Sequence, residues 1–164
     1  MKKMTQMYKF FNELVNKQCI PYLIYLSDRL SLRLYGKIIS NSEYYLNNYK
    51  IIPLDYYNID VNKSFEMSVF SKEETTLMYS IIYEIMNKNY TVHDLYVHCK
   101  LYPEFYKNMH YVNNVNHSIK INLLDMFIES DANSLSVFFQ SEQQLKTSKD
   151  KYLQSIKSKN NEKK

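Results

Sequence analysis

Apolar residues recur at helical spacing from the start of the chain. Met4, Met7, Tyr8, Phe11, Leu14 and Val15 share one face, with Lys9, Asn12, Glu13 and Lys17 opposite, which predicts an amphipathic helix of about four turns. Pro21 disfavours helical geometry at Ile20, so it either ends this helix or kinks a longer one running to Leu26. Asp28 is the predicted N-cap of a second helix, whose apolar face combines Leu30, Leu34 and Ile38 with Leu32, Tyr35 and Ile39. Gly36 falls inside that pattern at a cost of ~1 kcal/mol relative to Ala. Either close backbone approach requires it, or it is a chance glycine on a helix surface.

Ser40-Asn41-Ser42 breaks the pattern, and Glu43–Tyr49 is predicted to form a short helix carrying Tyr44, Tyr45 and Leu46. Ile51–Ser64, punctuated by Pro53 and by Asn and Asp, reads as a connecting loop with one turn of helix. A short apolar segment follows: Phe65, Met67, Val69 and Phe70. Ser71 with Glu74 three residues on is a capping box, and it opens the clearest helix of the chain, Lys72 to about Lys88. Leu77, Met78, Ile81, Ile82, Ile85 and Met86 form its stripe, and Tyr79 and Tyr83 widen it. Apolar residues over so much of the circumference predict the central helix of the fold. Thr91 with Asp94 caps another helix to Leu101, Pro103 interrupts it, and Glu104–Met109 resumes. Tyr111–Asn116 reads as an Asn-rich loop. Ser118–Ile128 is predicted helical on Ile121, Leu124, Met126, Phe127 and Ile128. Ser130-Asp131 then caps a last core helix with Leu135, Val137, Phe138 and Phe139.

Composition narrows the chemistry. Among 164 residues there are one Gly, three Pro, two Cys and no Trp, but 17 Tyr, 8 Phe and 8 Met. A single glycine cannot build a phosphate-cradling loop or a dinucleotide fingerprint. Two cysteines supply neither paired zinc ligands nor a disulfide framework, and Cys19 and Cys99 read as buried thiols in an intracellular setting. Asn, Lys, Ile and Tyr are abundant, whereas Ala132 is the only Ala and Arg29 and Arg33 are the only Arg. That bias points to an AT-rich genome. The longest apolar run, Cys19–Leu26, is too short for a bilayer span of ~20 residues. The start of the chain lacks the apolar core of a signal peptide. No membrane insertion is expected.

Charge divides the chain unevenly. The formal net charge is +4. Residues 146–164 hold seven Lys against Asp150 and Glu162, hence +5, and residues 1–145, with 14 basic and 15 acidic side chains, hold −1. The expected organisation is a helical domain over 1–145 and a Lys-rich tail over 146–164, frayed or disordered rather than buried. Nucleic-acid binding is disfavoured, because only the tail is basic and the tyrosines fall at core periodicity or in loops. No metal site is expected: His93 and His98 stand five apart and share no helical face, with His110 and His117 further on. Cys99 beside His98 points in a different direction. Glu73, Glu74, Glu84, Asp94 and Glu104 fit caps and solvated faces better than paired catalytic acids. Nothing groups an acid, a base and an oxyanion donor, so neither an enzyme nor a cofactor is expected. What remains is a binding module, for which Tyr and Met surfaces are well suited.

The order of segments resembles the poxvirus Bcl-2-like family, in particular its branch of short cytoplasmic innate-immune-evasion proteins. Leu32-Arg33-Leu34-Tyr35-Gly36-Lys37-Ile38 resembles the second helix of that branch, and Tyr44-Tyr45-Leu46-Asn47-Asn48-Tyr49 the short helix after it. Glu73–Tyr90, reached through Phe65–Phe70, resembles the central fifth helix. Ile121 to Asp131, running into Leu135–Phe139, resembles the end of the sixth helix, the acidic break and the seventh helix. The likeness covers roughly residues 8–141 with interruptions, and Tyr90–Asn116 is longer than the usual connection. It implies an all-α, Bcl-2-like bundle of seven to eight helices around an apolar central helix, without enzymatic activity.

Such a protein binds host proteins in the host cytoplasm, inhibiting NF-κB or interferon-regulatory signalling. The alternative is an apoptosis inhibitor that takes a pro-apoptotic death-motif helix in a groove; Tyr35, Ile39, Tyr45, Met78 and Ile82 would line it. The absence of an Asn-Trp-Gly-Arg motif and of an apolar anchor favours the signalling branch. A nucleic-acid-associated protein using the basic tail ranks third. Many relatives dimerise through their first and sixth helices, which places a homodimer face on Met7, Phe11, Leu14, Ile121 and Leu124.

Overall fold

The computed structural model describes residues 3–47, 50–109, 118–129 and 140–161. Helix α1, Lys3–Asn12, buries Met4, Met7, Phe10 and Phe11. The Asn16 side chain then accepts from the Gln18 amide and starts a 3-10 turn, Lys17–Cys19. Helix α2, Ile20–Tyr35, follows at once with Pro21 in its first turn. A proline there forfeits no helical hydrogen bond, since the first amides of a helix have no acceptor anyway. Pro21 therefore begins this helix rather than ending or kinking the one before it.

Helix α2 is the centre of the fold. Ile20 and every residue from Tyr22 to Arg33 are buried. It packs against α1, against α3 (Lys72–Asn87), against α4 (Val92–Lys100) and against α6 (Glu142–Asn161). The expected central helix, α3, instead buries one side through Leu77, Met78, Ile81, Ile82 and Ile85, and leaves Tyr79, Tyr83 and Met86 exposed. The sequence hid the role of α2 because Pro21 reads as a break or kink and Asp28 as the start of a second helix, and because Asp28, Arg29 and Arg33 put charge on a segment that is buried. All three are buried and hydrogen-bonded.

The all-α bundle of seven to eight helices is not what forms. Among the described residues there are six α-helices and a three-stranded antiparallel sheet in the order β2-β1-β3. Strand β1, Tyr44–Asn47, stands where a short helix was expected. Tyr44 and Leu46 point inward and Tyr45 and Asn47 outward, a period of two that four residues display too briefly to be recognised. Strand β2, Lys50–Pro53, pairs with it in the register Tyr44↔Pro53 to Asn47↔Lys50. Strand β3, Ile119–Lys120, pairs Lys120 with Tyr45 and Ile119 with Leu46. The helix expected over Ser118–Ile128 is thus a strand followed by a 3-10 turn, Leu123–Phe127, which the Asn122 side chain caps by accepting from the Leu124 amide.

Both capping boxes form as read. Ser71 and Glu74 exchange side-chain and backbone hydrogen bonds at the start of α3, and Thr91 and Asp94 do so at the start of α4. Helix α5 is Pro103–Met109. The helix expected at Leu135–Phe139, the loop at Tyr111–Asn116, and His110 and His117 lie outside the described residues.

Gly36 ends α2 rather than lying inside it. It adopts the left-handed conformation, φ 71°, and its N–H returns to the Leu32 carbonyl. A Cβ there would meet the Ser148 carbonyl oxygen of α6 at 2.4 Å and the Lys151 Cβ at 2.9 Å. The one glycine of the chain thus meets two demands at once, a positive φ and the close passage of another helix backbone. Helix α6 runs through the boundary expected at 145/146. It buries Leu145 and Ser148, and the Gln144 side-chain Nε2 donates to the Leu34 carbonyl at 2.7 Å.

Candidate functional site

The chemically richest groups of the chain lie along α2, away from solvent. Asp28 accepts from the Ile39 amide at 2.7 Å, the Ser40 amide at 3.0 Å and the Tyr44 hydroxyl at 2.6 Å, and also from the Ser40 hydroxyl. It is the anchor of the loop between α2 and β1, not a helix cap. Burial raises its carboxyl pKa, against the lowering effect of these bonds. At the next position, the Arg29 Nε donates to Glu104 Oε1 at 2.6 Å, and the Tyr25 hydroxyl donates to the same oxygen. The Arg29 guanidinium sits 3.6 Å from the ring centroid of Tyr102. Burial alone would weaken its hold on the proton, but the Glu104 carboxylate more than offsets this and keeps it charged.

Arg33, a further turn along, donates to Gln140 Oε1 at 2.5 Å and to the Met126 carbonyl at 2.7 Å. Burial, then repulsion from Arg29, lowers its pKa to about 10. His98 meets the Tyr102 hydroxyl at 2.6 Å, and burial, with Arg29 and Lys88 adding to it, lowers its pKa to about 4. Cys99 beside it is buried, and burial pushes its thiol well up. A protonated, enclosed thiol is a poor nucleophile. These groups clamp elements together, and of them only Tyr44 lines one of the clefts described below.

What α3 shows to solvent is a surface of another kind. Tyr79, Tyr83 and Met86 are 47, 67 and 62 % exposed, at i, i+4 and i+7. Phe10 packs edge-on against Tyr79 with centroids 4.9 Å apart and lies 6.4 Å from the ring of Phe65. Phe65 is itself exposed, as is Met67. Phe10 of α1 thus supports the Tyr79 end of the stripe.

A second exposed feature is a pair of joined clefts. One, of ≈ 490 Å³, lies between the Gly36–Glu43 loop and α6. The other, of ≈ 420 Å³, continues along Lys120–Leu123. They share Glu43, Leu123 and Tyr152. Helix α6 contributes Tyr152, Ser155, Ile156 and Lys159, which fall on one helical face. Comparison with family models, curated proteins and solved structures returns no match.

The residues singled out from sequence distribute between core and surface. Ile39, Met78 and Ile82 of the expected groove, and Met7, Phe11 and Ile121 of the expected dimer face, are buried in one hydrophobic cluster. Buried side chains offer a partner no surface. Tyr35 and Leu14 are exposed, and Tyr45 and Leu124 half-buried. Tyr79, Tyr83 and Met86 were visible in the sequence as part of the α3 stripe, but were assigned to the core. The signal that separates them is position: they lie at the margin of the stripe, and a hydroxyl or a thioether tolerates water better than Ile does. Among the described residues no group of His, Cys, Asp and Glu could hold a metal ion, and no helix is long and apolar enough to cross a membrane.

Proposed function

We propose that the chain is a non-enzymatic protein-binding module that presents the Tyr79–Tyr83–Met86 face of α3 to a host protein. The observation that carries this reading is the exposure of three large side chains aligned on one helix, with the exposed ring of Phe65 reached from Tyr79 through Phe10. Tyr and Met are enriched at protein interfaces, and Tyr offers large contact area at low conformational cost. The partner class, a host innate-signalling component in the cytoplasm, is supported by the segment resemblance and the AT-rich composition. The β1–β2 hairpin stands where the resembled bundle has a helix, so the death-motif groove has no support from the packing.

The test is a pair of NF-κB and interferon reporter assays in cells expressing the wild-type chain or the Tyr79→Ser/Tyr83→Ser double variant. Wild type suppresses at least one reporter, and the double variant loses suppression while its thermal melt stays within a few degrees of wild type. No suppression by wild type rejects the pathway. Suppression retained by the variant rejects the face.

A further inference from the structure

The joined clefts beside α6 carry an independent inference. Their floor is apolar: Ile38, Leu123, Tyr152 and Ile156. Their rim is basic, formed by Lys37, Lys120 and Lys159. Lys120 is already engaged by Glu43 at 2.6 Å, so these two cancel. Lys37 reaches Glu74 only at 3.9 Å, and both Glu74 oxygens are taken by Lys3 at 2.7 and 2.8 Å. Lys159 forms no ion pair among the described residues. The lining thus holds three lysines against the single carboxylate of Glu43, with Lys37 on the loop after α2 only loosely paired to Glu74 and Lys159 on α6.

We propose that this cleft binds an acidic, extended peptide segment of a partner protein, with carboxylates between Lys37 and Lys159 and apolar side chains on Leu123 and Ile156. Charge complementarity selects the occupant's sign, and the floor selects a ligand with apolar side chains. A single-stranded nucleic acid fits less well, because the lining offers one accessible ring, Tyr152, in place of a stacking platform. The second cleft follows β3, which among the described residues pairs only with β1, so an extended chain can add main-chain hydrogen bonds there.

The experiment measures fluorescence anisotropy with a labelled octapeptide of alternating glutamate and leucine. Its controls are the same peptide with glutamine for glutamate, and a labelled oligothymidylate. The acidic peptide binds at least about tenfold more tightly than the glutamine peptide, a difference of ~1.4 kcal/mol, and added salt weakens it. Lys37→Glu/Lys159→Glu removes that preference, and Lys37→Gln/Lys159→Gln weakens it; both lysines are exposed, and a thermal melt checks each variant. Tyr83→Ser binds the peptide as wild type does, which separates this cleft from the α3 face. Equal binding of the two peptides, unchanged binding by both lysine variants, tighter binding of oligothymidylate, or no binding up to millimolar peptide each overturns the proposal.

Discussion

His98 is an imidazole held uncharged. Unfolded, it takes a proton near its ordinary value of 6.5; folded, only near 4. Between those values the unfolded chain binds more protons, so this group's contribution to stability is lost as pH falls from about 6.5 toward 4. The shift corresponds to on the order of 3 kcal/mol. Asp28 acts oppositely. Its pKa is raised on folding, so the folded chain binds more protons just above the ordinary carboxyl value, and stability declines as pH rises through that window. Urea titrations at pH 7 and pH 4.5 are expected to show wild type losing stability at the lower pH, with His98→Gln losing clearly less. Equal losses would remove His98 as the cause.

Arg29 and Glu104 make a second prediction at this scale. The pair is almost fully enclosed, and among the described residues Arg29 Nη1 and Nη2 and Glu104 Oε2 have no hydrogen-bond partner. Removing one member strands a buried charge, so Arg29→Met is expected to cost ~3–5 kcal/mol. The double variant Arg29→Met/Glu104→Leu is expected to recover much of that loss in the same urea titration. A double variant no more stable than the single one would mean that the pair is worth more than its desolvation. Lys is common in this chain and Arg occurs twice, both times inside. Only a planar, weakly hydrated guanidinium can lie against Tyr102 while bonding a carboxylate in its plane.

Among the elements, those with local signals were legible. Ser71 with Glu74 and Thr91 with Asp94 set helix starts through side chains three residues apart, so sequence alone locates them. The face of α1 was legible in part: Met4, Met7 and Phe11 are buried as expected, but the helix ends at Asn12, Leu14 is exposed, and Phe10, outside the expected face, is buried. Elements defined by distant partners were not. Tyr44 and Leu46 are buried because β2 and β3 flank them and Asp28 takes the Tyr44 hydroxyl, and four residues with tyrosine at two positions carry no local preference strong enough to reveal it. Of the candidate surface, Tyr79, Tyr83 and Met86 were readable as a helical stripe, but not the side of the stripe that solvent keeps. At Gly36 the element-scale prediction is sharp. Gly36→Ala must adopt a positive φ and displace the Ser148 carbonyl, so a loss of ~1–3 kcal/mol from the backbone alone is expected. Hydrogen exchange should then show faster exchange in α6 than in α3. Unchanged protection of α6 would mean that the two helices adjust without separating.

At the scale of the molecule, the lysine-rich segment belongs to the architecture. Helix α6 carries Lys146, Lys149, Lys151, Lys157 and Lys159 against Glu142 and Asp150, and it packs on α2 and on the 3-10 turn at Leu123–Phe127. Its positive charge is therefore displayed from a fixed place, beside the cleft and away from the tyrosines of α3. Truncation after residue 140 is expected to expose Ser148's seat at Gly36 and the inner face of α2. The measurable result is a lower melting temperature and increased binding of a hydrophobic dye, rather than the neutral outcome expected for an appended tail.

The contact between α2 and α6 also governs time. Leu34 and Gln144, joined by a hydrogen bond, are 110 residues apart in the chain. Closing a loop of that length costs ~4 kcal/mol of chain entropy before any contact in it is gained. The helices α3, α4 and α5, with capping boxes of their own at the first two, can form while that loop is still open. Docking of α6 against the glycine is then the late step, and folding is expected to be limited by this long-range closure rather than by helix formation.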